Sequence, residues 1–363
     1  MTAPDDQATA ALRGDAPHDD MTFEDKFEDT ALNGTSAALS GTERAVLGEV
    51  TAAQVLTFLS RYTLARLGEP IRSVRFRAGR IDAVWGVELA DGRQVVIKAH
   101  RQPVDVQAVT AATAAKSLLV AAGYPCPQPH SGPDEVEGHV LVAEALLSQG
   151  ATPNGLDPVI RRLLADGLAQ HIDLLRQGDT LPARAGAGPS WCQYQHGPWP
   201  IPHDPIVDFT TCPPGYEWLD AFARRASEQV LTYRSQDVVV GHADWYAGNC
   251  AVADGQLVGT FDWELVADAE AVIAGFTAAG YASSSSSGGG LSTPEETLAF
   301  LQDYERARGV RFDMAEQRAA TAAAAWIVAF NARWETAMRP GLDDGTTTAL
   351  LRARGADYFS LNW

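Results

Sequence analysis

The hydrophobic residues that follow position 50 have the spacing of an amphipathic helix. In the segment 51–68 they recur at positions i, i+3, i+4 and i+7: Val55, Phe58, Leu59 and Tyr62. This period places the four side chains on one face of a helix. We therefore expect a helix that packs one apolar face against the rest of the fold.

The pattern then changes to the alternation that is typical of β-strands. In IRSVRFRAGRIDAVWGVELADGRQVVIKAHR, residues 71–101, apolar and polar residues alternate, and the pair Asp91-Gly92 stands between two such runs. An Asp-Gly pair in this position is a strong hairpin signal. The segment predicts three antiparallel strands, the last of which ends at Lys98.

An alanine-rich helix and a further strand follow. The helix is predicted over residues 104–122 and ends at Gly123 and the proline-rich YPCPQP, which are helix stop signals. The segment GHVLVAEALLSQG, residues 138–150, predicts a strand that leads into a polar turn. Hairpins, one helix and another strand predict a small α+β unit that ends near Ser148.

The rest of the chain has mostly the apolar period of helices. Helices are predicted over five segments: 158–176, 216–234, 294–308, 314–338 and 346–356. Two long segments lack a clear period, namely 186–215, rich in proline and aromatic residues, and 281–293, rich in serine and glycine. Loops of this length within a compact domain are usually functional or disordered.

The charge distribution divides the chain further. The 363 residues carry a net charge of −18, and residues 1–50 contain eleven acidic against three basic side chains. So acidic a segment, with few large apolar residues before Val46, cannot offset its ordering entropy. We therefore expect residues 1–46 to be disordered, an N-terminal lobe over 47–148 and a C-terminal lobe over 149–363.

Composition also disfavours several partners. A strongly acidic chain offers no basic face to a nucleic-acid backbone. The chain contains no run of 18 or more apolar residues, and its first residues are acidic, unlike a signal peptide. We expect no nucleic-acid partner, no membrane partner and a cytoplasmic protein. The four cysteines include no C-x-x-C pair, so nothing demands a disulfide framework.

Three polar residues stand at the ends of two short apolar runs. The runs 238–241 and 256–261 are apolar and predict strands, Asp244 and Asn249 lie in the loop after the first run, and Asp262 follows the second. Such side chains can gather around one hard cation, since Mg²⁺ prefers oxygen ligands and retains waters and phosphate oxygens. Asn249 and Asp262 would be its ligands, and Asp244 would accept a proton from a hydroxyl group.

These motifs resemble those of a known family. The sequence His242-Ala243-Asp244, followed by Asn249 and by Asp262-Trp263-Glu264, is similar to the H-G-D, N and D-W-E pattern of the aminoglycoside phosphotransferase and choline kinase family. The resemblance spans roughly residues 70–340. It implies a two-lobed, protein-kinase-like α+β fold, with a small antiparallel-sheet N-lobe and a larger, mostly helical C-lobe.

The resemblance also implies roles for individual residues. It makes Asp244 the catalytic base and Asn249 and Asp262 the Mg²⁺ ligands, while His242 supports their loop. For nucleotide binding, it implies that Lys98 pairs with the phosphates of ATP or GTP. The other nucleotide-binding positions that it implies are Gly79, Glu144 and Leu146.

The sequence departs from the family pattern in the N-terminal lobe. The helix after Lys98 usually carries a Glu that orients the lysine, but the expected position holds Ala111 or Ala112. The nucleotide loop RAGRIDAV contains a single glycine, Gly79. Two functions therefore stay open: a magnesium-dependent small-molecule kinase, or a nucleotide-binding pseudokinase or regulatory module without transfer activity. The intact Lys98, Asp244 and metal-ligand motif favour the kinase.

The resemblance implies an acceptor that is a small hydroxylated molecule, and the sequence leaves its identity open. Glu217, Glu264 and Asp268 make the expected acceptor region acidic, which would attract an amine-bearing acceptor such as an aminoglycoside. Four aromatic residues could instead line an apolar pocket for a macrolide-type or peptide antibiotic: Trp191, Tyr194, Trp199 and Trp218. A further hypothesis, a zinc site in the same region, rests on four residues: Cys192, His196, His203 and Cys212. Their spacing differs from known zinc-binding layouts.

Overall fold

Five antiparallel strands form the sheet of the N-terminal lobe in the computed structural model. The structure describes residues 38–178, 181–200, 207–233, 235, 237–283, 290–338, 346–361 and 363. The strands are β1 (Ile71–Ala78), β2 (Ala83–Leu89), β3 (Gln94–Ala99), β4 (Pro129–Val136) and β5 (His139–Ala145). Their spatial order is β1-β2-β3-β5-β4. The predicted three-strand meander and the Asp91-Gly92 hairpin are confirmed.

Alternation along β3 separates the two faces of this sheet. Val95, Ile97 and Ala99 are fully buried on one face, where they share a hydrophobic core with helix α2 (Ala52–Leu67). The side chain of Lys98 therefore points to the opposite face, because successive side chains of a strand alternate. The predicted amphipathic helix is confirmed, and a capping box at Thr51 begins it.

The N-terminal lobe begins earlier than the charge pattern indicates. Residues Gly41–Leu47 form helix α1, which Ser40 caps. The Glu43 side chain is 2% exposed, forms an ion pair with Arg77, and accepts a hydrogen bond of 2.9 Å from Nε1 of Trp85. Fully hydrogen-bonded charges can be buried, so this acidic residue belongs to the packed lobe rather than to a disordered segment. Residues 1–37 lie outside the described part of the chain.

Helix α3 (Val106–Ala121) and the edge strand β4 complete the lobe. The helix agrees with the prediction, whereas β4 was not expected. Its segment contains Pro129 and the pair Gly132-Pro133, which are unfavourable within a central strand. As an edge strand with an irregular register against β5, β4 tolerates residues that cannot donate a ladder hydrogen bond.

The C-terminal lobe is mostly helical. Its helices are α4 (Pro158–Leu175), α5 (Leu181–Ala185), α6 (Glu217–Thr232), α7 (Glu270–Gly280), α8 (Pro294–Arg308), α9 (Met314–Met338) and α10 (Thr346–Tyr358). Two antiparallel pairs of strands lie among them: β6 (Val238–His242) with β9 (Leu265–Ala269), and β7 (Cys250–Ala253) with β8 (Gln256–Thr260). The predicted α+β fold, with a small sheet lobe and a larger helical lobe, is confirmed.

Helix α7 lies at the centre of this lobe and was not predicted. Nearly all of its residues are buried, so its sequence lacks the amphipathic period by which helices are recognised. It packs closely against α9, because a Cβ at Gly275 would lie 2.1 Å from the carbonyl oxygen of Ala320. Helix α7 follows β9 directly and supports the strand pair that carries the functional loop.

Candidate active site

A histidine holds the loop that follows β6. Nδ1 of His242 accepts a hydrogen bond of 3.1 Å from the backbone N–H of Asp244, so the ring proton must be on Nε2. This Nε2–H donates to the carbonyl oxygen of Phe261 at 2.9 Å. Burial lowers the pKa of His242 to about 4. The neutral side chain thus links the Asp244 loop to the segment that precedes Asp262.

A second buried histidine fixes the end of β6. Nε2 of His171 accepts the backbone N–H of His242 at 3.2 Å, which leaves its Nδ1–H to donate to the hydroxyl of Tyr124 at 3.3 Å. The Tyr124 hydroxyl donates in turn to the carbonyl oxygen of Gly167 at 3.0 Å. Burial and the nearby His242 hold the pKa of His171 well below its usual range. Each hydrogen bond from His242 through His171 and Tyr124 to Gly167 therefore has a defined donor and acceptor.

Asp244 and Asn249 lie side by side in this loop. Nδ2 of Asn249 donates to Oδ2 of Asp244 and to its backbone oxygen, both at 3.0 Å. A 3₁₀ turn over Ala247–Asn249 positions the carboxamide. With its amide nitrogen held by Asp244, the oxygen of the Asn249 side chain points away from that residue, since the two atoms of a carboxamide diverge.

Asp262 lies between β8 and β9 in a left-handed backbone conformation. Its φ is +56°, which Asp and Asn tolerate better than other residues with a Cβ. Two backbone hydrogen bonds bring its segment to the Asp244 loop: Phe261 N–H donates to Asn249 O at 2.9 Å, and Ala243 N–H donates to Glu264 O at 2.8 Å. These two backbone hydrogen bonds hold the segment that contains Asp262 beside the loop that contains Asp244.

Lys98 joins the two lobes through Asp262. Its Nζ lies 2.6 Å from Oδ1 of Asp262, although the two residues are 164 positions apart in the sequence. Nζ also lies 3.3 Å from Oδ2 of Asp82. Burial lowers the pKa of Lys98, but the carboxylates of Asp262, Asp82 and Glu264 outweigh burial and raise this pKa well above its usual range. Lys98 is therefore a cation, and the same contact lowers the pKa of Asp262.

Asp82 is a member of the site that the sequence interpretation missed. The sequence showed an acid in the loop between β1 and β2, but not that the turn directs it towards β3. The turn is tight: Gly79 has a φ of +112°, and a Cβ there would lie 1.9 Å from the carbonyl oxygen of Asp82. The predicted loop glycine is thus required by close backbone approach.

Glu264 adds a third carboxyl group to the surroundings of Lys98. Burial is the main cause that raises its pKa to about 8, and the carboxylates of Asp262, Asp244 and Asp82 raise it further, while Lys98 opposes them. The group is mostly protonated at neutral pH. A neutral Glu264 reduces the repulsion among the carboxylates that cluster here.

The acid expected on helix α3 is absent, and the helix carries a cation instead. Ala111 and Ala112 are buried, and Lys116 forms an ion pair with Glu144 of β5. The carboxylate of Glu144, which the resemblance places in the nucleotide-binding hinge, is therefore engaged by Lys116. The backbone N–H of Leu146 donates to Gln94 O at 3.1 Å and extends the β3–β5 pairing.

The predicted acceptor residues are not all together. Cys192 is buried, and its pKa is raised by burial and by Glu264, Asp244 and Asp268, which puts these three carboxyl groups around one side chain. Asp268 also accepts a hydrogen bond of 2.9 Å from the hydroxyl of Tyr194. Glu217 instead begins helix α6, and its Oε1 accepts the backbone N–H of Gly215 at 3.3 Å.

The aromatic segment packs directly against the Asp244 loop. Nε1 of Trp191 donates to the carbonyl oxygen of Ala243 at 3.3 Å, and Nε1 of Trp326 donates to the carbonyl oxygen of Trp191 at 2.8 Å. This segment, which the sequence left without secondary structure, forms two 3₁₀ turns over Ser190–Cys192 and Tyr194–His196. It could line an acceptor site next to Asp244.

Magnesium and zinc sites require different numbers and kinds of protein ligands. Within the described ranges, no group of three or more His, Cys, Asp and Glu side chains is placed to hold a metal ion. A Mg²⁺ ion does not need such a group, because it binds one or two protein oxygens and completes its shell with phosphate oxygens and waters. Asn249 and the half-exposed Asp262 fit that requirement. His203, one of the four residues of the zinc hypothesis, lies outside the described residues.

The helices of the described residues include none that is both long and apolar enough to cross a membrane.

Comparisons with known proteins agree with this geometry. The sequence model of the phosphotransferase enzyme family (APH) matches residues 73–273, more than half of the chain. A structure of the amicoumacin kinase hAmiN in complex with AMP-PNP, Ca²⁺ and Ami has a similar fold, with 11% identity and a TM-score of 0.57 over 79% of this chain and 88% of that one.

A second solved structure shows the same fold. It is a thermostable mutant of the aminoglycoside phosphotransferase APH(4)-Ia in a ternary complex with AMP-PNP and hygromycin B, with 12% identity and a TM-score of 0.51 over 81% of this chain and 98% of that one. No curated protein sequence matches the chain. The two-lobed, protein-kinase-like fold is thereby confirmed, and the chain belongs to the phosphotransferase enzyme family.

Proposed function

We propose that the protein transfers the γ-phosphate of ATP or GTP to a hydroxyl group of a small molecule in a magnesium-dependent reaction. The observation that carries this proposal is the 2.6 Å contact between Lys98 and Asp262. It unites a cation of the sheet lobe with a carboxylate of the helical lobe, at the positions that the family uses for phosphates and metal. A pseudokinase would have less reason to keep this pair beside an intact Asp244.

Asp244 is the proposed catalytic base. Its carboxylate is fixed by Asn249 at 3.0 Å, and its backbone is fixed by His242 at 3.1 Å. A base in a rigid loop can be aligned with an acceptor hydroxyl before the reaction begins, which lowers the entropy cost of the transition state. The segment that contains Trp191 packs against this loop, so an acceptor held there would lie next to Asp244.

Asn249 and Asp262 are the proposed metal ligands, and Lys98 binds the phosphates. A bound Mg²⁺ supplies positive charge that offsets the charge on the transferred phosphoryl group. Lys98 contributes a second positive charge from the sheet lobe, and its partly buried position makes that charge more effective than it would be in water. The remaining nucleotide-binding residues in this proposal are Gly79, Glu144 and Leu146.

In this proposal the nucleotide binds between two lobes. The N-terminal lobe ends near residue 148, and the C-terminal lobe begins at residue 149. Glu264, Asp268 and Glu217 are the proposed acceptor-binding residues. The carboxyl groups of Asp268 and Glu217 favour an amine-bearing acceptor, whereas Glu264, mostly protonated at neutral pH, would form hydrogen bonds with it. Aminoglycosides are candidates, because the two structural relatives are named as an amicoumacin kinase and an aminoglycoside phosphotransferase, and the nearby aromatic residues keep macrolides among the candidates.

The proposal is tested by following label from γ-labelled ATP and GTP into a panel of hydroxylated antibiotics and amino alcohols. Candidates for this panel are selected by thermal shift with a non-hydrolysable nucleotide, since ligands that bind only the folded state raise its melting temperature. We expect magnesium-dependent transfer that Asp244→Ala abolishes. Binding of nucleotide with neither transfer nor hydrolysis would instead favour the pseudokinase.

A further inference from the structure

We propose that Asp82 is the positioning residue that orients Lys98 towards the nucleotide phosphates, in place of an acid on helix α3. This inference rests on the proposed function, because it assigns the partner of the phosphate-binding lysine. Asp82 lies in the turn between β1 and β2, within the predicted nucleotide loop but outside the H-A-D, N and D-W-E motifs by which the family was recognised.

The contacts of Asp82 all reach the end of β3. Its Oδ2 lies 3.3 Å from Nζ of Lys98 and 2.9 Å from Nδ1 of His100. Its Oδ1 accepts the backbone N–H of Arg101 at 2.8 Å. The side chain is only 14% exposed, so these contacts form away from bulk water. Asp82 therefore holds both the backbone that follows Lys98 and the ammonium group itself.

The backbone of the turn makes this placement specific. The pairing of Val84 with Lys98 sets the register of β2 against β3, which brings the residue two positions before Val84 next to the end of β3. Gly79 lets the turn close, since any Cβ there would meet the Asp82 carbonyl oxygen. From the other side, Oγ1 of Thr42 donates to the carbonyl oxygen of Gly79 at 3.1 Å. The turn is thus tied to helix α1 as well as to the sheet.

Helix α3 has no acid available for Lys98. Its buried face carries Ala111, Ala112 and Lys116, and Lys116 is paired with Glu144. Lys98 and Lys116 therefore have separate partners. Lys116 forms an ion pair with Glu144, whereas Lys98 forms ion pairs with Asp82 and Asp262. Because Asp262 is also the proposed metal ligand, Asp82 is the carboxylate that can hold Lys98 when Asp262 is engaged elsewhere.

The test compares Asp82→Asn in two backgrounds, the unaltered protein and Lys98→Met. The Asn side chain keeps an oxygen for the Arg101 amide but removes the charge that holds Lys98. Turnover is measured as magnesium-dependent hydrolysis of whichever of ATP and GTP the unaltered protein accepts, and affinity as binding of AMP-PNP or GMP-PNP. Melting temperatures show whether each variant folds. Asp82→Ser gives the same comparison if the Asn variant does not fold.

A positioning role predicts a split between turnover and affinity. We expect Asp82→Asn to lower turnover about tenfold while the affinity for the nucleotide analogue changes less than about threefold, because removing an anion beside the phosphates does not weaken their binding. In the Lys98→Met background the same change should alter turnover less than about twofold, since two residues that act together are not additive.

The matched control is Asp91→Asn. Asp91 lies in the next hairpin turn of the same sheet, between β2 and β3, and its Oδ1 also accepts a backbone N–H, from Arg93 at 3.0 Å, so we expect unchanged turnover. Equal losses of turnover in both backgrounds would show that Asp82 acts only on the fold and would overturn this inference alone. An unaltered protein with no magnesium-dependent nucleotide binding would overturn the proposed function and this inference together.

Discussion

The backbone N–H of Asp244 donates a hydrogen bond of 3.1 Å to Nδ1 of His242. This contact requires an unprotonated Nδ1, and the donation from Nε2–H to Phe261 O at 2.9 Å requires a proton on the other nitrogen. Only one neutral tautomer of His242 satisfies both. The geometry of the Asp244 loop is therefore coupled to the protonation of a buried histidine, and this coupling has a measurable pH dependence.

The first prediction is that the contribution of His242 to the free energy of unfolding decreases as the pH falls from 6.5 towards 4, whereas the raised pKa of Glu264 acts in the opposite direction. The pKa of His242 is about 4 in the folded protein and about 6.5 in an unfolded chain. Between these values the unfolded state binds more protons, so the stabilisation present above pH 6.5 is lost progressively and amounts to about 3 kcal/mol for this residue. Urea denaturation of the unaltered protein and of His242→Asn from pH 4 to pH 8 measures this contribution as the difference between the two proteins.

The variant His242→Asn provides the control for that assignment. Its oxygen can still accept the Asp244 amide, but it cannot titrate in this range. We expect a protein that is less stable at pH 8 and whose free energy of unfolding rises less between pH 4 and pH 6.5 than that of the unaltered protein, with remaining contributions of opposite sign from His171, whose pKa is also lowered, and from Glu264, whose pKa is raised. An equally steep dependence in the variant would show that His242 is not the titrating group.

The second prediction concerns the proposed base. Asp244→Asn should reduce turnover by roughly a hundredfold or more with little change in nucleotide affinity, because general-base loss acts on the reaction and not on binding. Asp254→Asn is the matched control. Asp254 lies in the hairpin between β7 and β8 with a φ of +50°, which Asn also tolerates. Normal turnover of Asp244→Asn would show that Asp244 is not the catalytic base.

The third prediction concerns the proposed metal ligands. Asp262→Ala should abolish the magnesium-dependent part of nucleotide binding, and Asn249→Ala should weaken it less, because only Asp262 supplies negative charge to the cation. The φ of +56° at Asp262 adds backbone strain to the Ala variant. Asp262→Asn tolerates that conformation and isolates the loss of charge. Nucleotide titrations with and without Mg²⁺ measure this difference. Equal nucleotide affinities of the unaltered protein and Asp262→Asn in the presence of Mg²⁺ would show that Asp262 is not a metal ligand.

Much of the fold could be predicted because its elements have distinct periods. The alternation of β1 to β3 and the apolar face of α2 each result from packing against one side only. Helix α7 is buried on all sides, so it has no such period. Helix α1 was missed because the charge of Glu43 suggested exposure, whereas its partners Arg77 and Trp85 lie more than thirty positions away in the sequence.

The candidate site was predictable where one backbone segment determines the geometry. Asp244 and Asn249 share a loop, and their 3.0 Å contact follows from a spacing that the sequence shows. The contact of Asp82 with Lys98 depends on the closed turn at Gly79 and on the β2–β3 register, which no local pattern encodes. The pKa of about 8 at Glu264 likewise depends on burial among carboxylates from several segments.

The fourth prediction is that restoring a family-like acid on helix α3 does not help this protein. Ala112 is buried and lies four residues before Lys116, so both side chains share one face of the helix. A carboxylate introduced by Ala112→Glu would compete with Glu144 for Lys116 or remain buried without a partner, which is costly, while Lys98 already has two carboxylates within 3.3 Å. We expect phosphate transfer or nucleotide hydrolysis to be unchanged or lower, together with a lower melting temperature.

Ala112→Gln, which adds similar volume without charge, separates the effect of the carboxylate from that of size. A several-fold gain in turnover from the Glu variant alone would show that Lys98 is poorly oriented in the natural sequence, because only then could a new acid at this position improve the reaction.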